Sequence, residues 1–131
     1  MSDLIDDSSI PDEAILWRRI PPNWVVFDQK TNQLRPSSQS FDNHRDGSGM
    51  SVVLANEVIA NGRSEENVLE GHEGFGLVAI NAGLARKLNQ KIVRDPLPDE
   101  PAHMEICGDK TKGVKKAFAR AAVWIVKPTS Q

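Results

Sequence analysis

The chain has 131 residues, 39% of them hydrophobic and 26% charged, with a formal net charge of −2. That balance suits one soluble domain with a real core, and it excludes bulk attraction to nucleic acid or to an anionic membrane. A lone cysteine, Cys107, excludes an internal disulfide and fits a reducing compartment.

Charge is unevenly placed. The first thirteen residues hold Asp3, Asp6, Asp7, Asp12 and Glu13 without a base, whereas Lys110, Lys112, Lys115, Lys116, Arg120 and Lys127 occupy the other end without an acid. The opening segment lacks the basic flank and apolar run of a signal peptide, and no apolar stretch approaches the roughly 20 residues that cross a bilayer. A cytoplasmic location is the expectation. Residues 1–12 read as a disordered or loosely docked acidic arm, and 13–131 as a single domain.

In chain order, Ile15–Ile20 reads as a strand stopped by Pro21 and Pro22, which cannot both feed a ladder. Residues 24–27 form a second strand candidate, followed by polar turn chemistry over 28–33. Residues 35–41 read as extended or irregular, and 42–49 as a polar, glycine-bearing loop. A short strand over 51–54 runs into a helical turn that Asn61 and Gly62 end. Ser64 has the chemistry of an N-cap with Glu65 and Glu66 behind it. Residues 75–80 form a strand candidate, and Asn81 caps a short helix over 82–88.

Ile92 and Val93 begin another strand. A loop stiffened by Pro96, Pro98 and Pro101 then leads into His103–Cys107. In the last helix, Val114, Ala117, Phe118 and Ala121 recur at helical spacing, with Lys112, Lys116 and Arg120 as a second, basic stripe. Val123–Val126 closes the fold as a strand before Pro128. The helix at 82–88 is too short for a parallel crossover, so the predicted class is α+β: a small mixed or mainly antiparallel curved sheet with short helices and a C-terminal basic helix.

Side chains two apart on a strand share a face, so His103 and Glu105 are neighbours and form the candidate catalytic pair: the carboxylate orients the imidazole, which moves the proton. The plain alternative is a solvated polar face. Arg19, Arg35 and Ser38, together with Arg18, Ser37 and Ser40, form an anion-friendly set, since guanidinium forks and hydroxyls suit phosphate. Lys112, at the start of the basic helix, is a further candidate ligand-binding residue. No P-loop order is present, and no cofactor is indicated.

His44, His72 and His103 match no compact ligand spacing, so no metal is expected. Cys107 shares the strand face of His103, but four residues along a strand span about 13 Å, too far for a Cys–His pair.

The stretches LWRRIPP, RPSSQSF, GMSVVLA and DEPAHMEICG together resemble a family of short bacterial proteins with no assigned activity, over most of residues 15–126. The order of arginine, serine and late glutamate is also loosely similar to the scheme of ADP-ribosyltransferases. That resemblance implies roles for Arg19, Ser38 and Glu105, although the Glu-x-Glu loop of that family is missing here.

The functional expectation is a small cytoplasmic protein with a polar Arg/His/Glu pocket for a phosphorylated or nucleotide-like ligand. The rival is a non-catalytic module that holds a partner protein. Nucleic-acid binding through the basic helix comes third, because few aromatics lie beside it for stacking. Convergence of His103, Glu105 and an arginine on one concavity separates the first two.

Overall fold

The computed structural model describes residues 5–45 and 47–129. Six antiparallel strands form the main sheet: β1 (Ile15–Ile20), β4 (Met50–Leu54), β5 (Gly76–Asn81), β6 (Lys91–Arg94), β7 (His103–Cys107) and β8 (Val123–Val126). Their spatial order is β6-β7-β4-β1-β5-β8. The intervening β2 (Val25–Asp28) and β3 (Gln33–Pro36) make a separate two-stranded hairpin, turned at Asn32 with φ 59. Among the described residues four α-helices complete the α+β fold: α1 (Ala55–Ala60), α2 (Glu65–Val68), α3 (Ala82–Lys87) and α4 (Lys112–Ala121).

Local chemistry sets the boundaries. Asn81 Oδ1 accepts from the Leu84 N–H at 2.8 Å and opens α3, and Thr111 Oγ1 accepts from the Val114 N–H at 3.2 Å and opens α4. Gly62, with φ 74, follows α1 where a side chain would be strained. The Asn67 carboxamide oxygen accepts from the Ser64 N–H at 2.9 Å at the start of α2, so asparagine takes the reciprocal place that Glu or Gln fills in a capping box.

Period-two alternation divides the sheet into two faces. Leu16, Met50, Val52, Val78, Met104 and Ile106 point to one side, where Phe118 of α4 and Phe41 close the core with ring centroids 6.0 Å apart. Trp17, Val53 and Leu77 point to the other, against Val58 of α1 and Val68 beyond it. That second cover is short. It shields one end of the face and leaves Arg19, Ser51 and Glu105 at its margin.

The arm corrects one expectation. From residue 5 to residue 12 it is docked, not loose: the Asp7 N–H donates to Ile92 O and the Ile92 N–H to Asp6 Oδ1, both at 2.8 Å. Arg86 pairs with Asp6 and Asp12, Arg94 pairs with Asp7, and Ile10 is only 2% exposed. Carboxylates that read as a solvated run are spent on two arginines far along the chain, and one isoleucine anchors the segment in the core. Residues 1–4 of that arm lie outside the described residues. No helix among the described residues is long and apolar enough to cross a membrane.

Candidate functional site

Three adjacent strands bring the site together. β1 supplies Arg18 and Arg19, β4 supplies Ser51, and β7 supplies His103 and Glu105. In the β4–β7 register Ser51 lies opposite Glu105, and Val53 opposite His103, so serine and histidine are diagonal neighbours on one face.

His103 is buried, and both of its ring nitrogens are engaged. Nδ1 lies 2.8 Å from the Asp95 carbonyl oxygen and 3.2 Å from Asp95 Oδ2, while Nε2 lies 3.0 Å from Ser51 Oγ. A carbonyl oxygen only accepts, so Nδ1 carries the proton. With the proton on Nδ1 alone, Nε2 serves as acceptor for the Ser51 hydroxyl. His44 Nε2 lies 2.7 Å from the same hydroxyl oxygen. Asp95, His103, Ser51 and His44 are therefore linked in one hydrogen-bond chain.

Arginines surround this chain. Arg18 turns inward: Nε donates to Ser40 O and Nη1 to Ser51 O, both at 2.7 Å. Burial, and then the charge of Arg19, push its guanidinium down to about 10. Arg19 donates to Val68 O at 3.1 Å; burial lowers its proton affinity, against the pull of Glu100 and Asp99. His72 tilts against Phe75 with centroids 5.0 Å apart, and burial with the Arg19 charge holds it below the usual imidazole value. A cleft of about 710 Å³ joins Arg18, Arg19, Arg45, His44, His72 and Ser51 to an apolar wall of Pro21, Trp24 and Phe75. Asp42 also lines it, and Lys115 pairs with that carboxylate at 3.3 Å.

Glu105 keeps a carboxylate oxygen within 4.8 Å of a His103 ring nitrogen but bonds elsewhere. Its Oε1 accepts from the Gly49 N–H at 3.3 Å, and it lines a separate shallow groove with Asn43 and Cys107. Gly49 is required there, because a Cβ would stand 2.7 Å from Cys107 Sγ and 2.9 Å from Ile106 O. His103 and Arg19 share only a small void of about 20 Å³ with Ser51, apart from Glu105. The three residues whose convergence was expected thus share one sheet face but not one concavity.

Asp95, His103 and Glu105 each offer a metal-ligand atom, all within 4.8 Å of one another. A cation taken through Nδ1 would have to displace the proton that the Asp95 carbonyl accepts, so the donor set favours orientation of the ring. Of the three histidines considered for a metal, His44 and His103 meet at the Ser51 hydroxyl, and His72 packs on Phe75.

The remaining candidates lie outside this cleft. Arg35 and Ser38 line a groove of about 580 Å³ between the hairpin and α4, with Lys116 and Arg120 across it. Arg35 is paired with Asp28 at 3.5 Å. Lys112 is exposed on α4 and lines neither cleft. Lys110 instead turns inward, its Nζ donating to Asn43 Oδ1 and Ile106 O at 2.8 Å, and burial pushes the amine down to about 8.

Ser51, Asp95 and Arg45 were not singled out by the sequence. Alternation places Ser51 with Val53 on the second face, but its pairing with a histidine 52 residues away depends on strand register. No protein-family profile, curated protein or solved structure matches this chain.

Proposed function

We propose that the protein binds a small phosphorylated or nucleotide-like ligand in the cleft above Ser51. One observation carries the reading: Ser51, whose hydroxyl is held between two imidazoles, lines a cleft with Arg18, Arg19 and Arg45. Guanidinium and imidazole N–H groups suit phosphate oxygens, and Trp24 and Phe75 offer an apolar surface for a planar base. The buried free thiol of Cys107 agrees with a cytoplasmic setting.

Calorimetric titration with a nucleoside 5′-monophosphate, the matching nucleoside and inorganic phosphate tests the reading. Binding is expected to require phosphate and to weaken about tenfold in Arg19→Ala and in Arg45→Ala. Equal affinity for nucleoside and nucleotide, or no saturable binding, overturns it.

A partner-protein role is the second reading, favoured by exposed Phe27, Val26 and Leu34 on the hairpin and by the separation of Glu105 from the concavity of His103 and Arg19. In the acidic arm, Asp6, Asp7 and Asp12 are occupied by Arg86 and Arg94.

A further inference from the structure

We propose that Ser51 is the nucleophile of a phosphoryl-transfer site, with His103 as its general base and Asp95 as the positioning residue behind the ring; this rests on the cleft taking a phosphorylated ligand. The geometry is that of an activated hydroxyl: Ser51 Oγ lies 3.0 Å from His103 Nε2, and the opposite ring nitrogen lies 2.8 Å from the Asp95 carbonyl oxygen and 3.2 Å from its carboxylate. The carbonyl contact selects the tautomer whose Nε2 is free to take a proton. His44 holds the same oxygen at 2.7 Å and fixes its direction. Ser51 also lines the cleft that Arg19 and Arg45 share, so an electrophilic phosphorus has somewhere to sit. A serine serving only to satisfy His103 would need neither the second imidazole nor access to that cleft.

The reaction balances with water as co-reactant. Ser51 Oγ attacks phosphorus of a phosphate monoester while its proton passes to His103 Nε2. The new bond is Oγ–P, and the bond that breaks joins phosphorus to the leaving oxygen on the far side, in line with the attack, which takes its proton from water. Water then attacks the phosphoserine from that far side and releases a proton to solvent. Phosphate departs, and His103 returns the proton it has kept to Ser51 Oγ. Arg19 and Arg45 oppose the charge on the transferring oxygens.

Diisopropyl fluorophosphate and p-nitrophenyl phosphate test this on the full chain. Wild type is expected to acquire one adduct, mapped to Ser51, as phosphorus loses fluoride, and to release nitrophenol from the ester. Ser51→Ala should show neither. His103→Gln, a polar replacement chosen to spare the fold, should slow labelling about 100-fold. Asp95→Asn keeps the carbonyl that fixes the tautomer and removes only the carboxylate charge 3.2 Å from Nδ1. It should therefore slow labelling less than His103→Gln while leaving the dissociation constant for inorganic phosphate unchanged, a split that a purely structural role would not produce. No Ser51 adduct, labelling of several serines at one rate, or full hydrolysis by Ser51→Ala would overturn the proposal. Phosphate binding that survives such a result leaves the cleft reading standing, whereas absent phosphate binding by wild type removes that reading itself.

Discussion

The two faces of the sheet are made by the same strands and behave as different materials. One is closed by Phe118, Phe41 and the short helix α3, and the side chains it presents at its centre are apolar and fully covered. The other begins apolar at Trp17 and Val53, then turns polar where α1 and α2 end, exposing Arg19, Ser51 and Glu105 beside buried His103. Alternation explains the sharing of strands: Met104 and Ile106 seal one side while His103 and Glu105 work on the other. Stability and chemistry are thereby assigned to opposite sides of single strands. A substitution on one face should leave the other face's property largely alone.

The largest break in that comparison should come from the closed face. Phe118→Ala removes a fully buried ring stacked near Phe41 and should cost about 3–5 kcal/mol in chemical denaturation. Phosphate affinity at temperatures where the variant is folded should be unchanged. A comparable loss of affinity would show that the faces are not independent.

Arg18 is the exception that sharpens the rule, because it faces inward and ties both regions together. Arg18→Met deletes two charge-assisted bonds, to Ser40 O and Ser51 O, and should cost about 2–3 kcal/mol. It should also loosen the backbone of Ser51, so stability and phosphate affinity should fall together. Loss of only one would separate the two jobs.

How much of this could be read beforehand depended on distance along the chain. Asn81, the Asn61–Gly62 stop and the apolar stripe of α4 act within one or two helical turns, and they place elements correctly. The α+β class followed from the short helix after Asn81, which cannot carry a parallel crossover. The pairing of β2 with β3 outside the main sheet was invisible, since Gln33–Pro36 straddles the polar run over 28–33 and the irregular stretch over 35–41. Arg86 lies 80 residues from Asp6, and no local pattern announces that the arm is pinned. The candidate site divides in the same way: His103 and Glu105 were visible as a face, but their partners Ser51, Asp95 and Gly49 come from register and loop closure.

A smaller effect is expected from the clamp that holds the loop preceding β7. Arg63 meets Glu100 through two bonds, at 2.5 and 2.8 Å, and those bonds hold the Glu100 carboxyl below its ordinary value. A depressed folded value means the contribution is complete above the ordinary carboxylate range and is lost as pH falls through that depressed value. Because the pair sits at the solvent edge, Arg63→Ala should cost at most about 1 kcal/mol at neutral pH. The gap between wild type and variant should close on acidification. A gap that is constant from pH 7 to pH 3 would show that Glu100 gains nothing from its partner.

Amide and side-chain NMR during titration with a nucleoside 5′-monophosphate tests the central claim, that the half-covered face is the ligand site, most directly. Saturable shifts at Arg19, His44, Ser51, His72 and His103, with Lys112 and Lys116 on α4 unmoved, are the predicted result. Shifts confined to α4 and the Arg35–Ser38 groove, or no saturable shift anywhere, would contradict it.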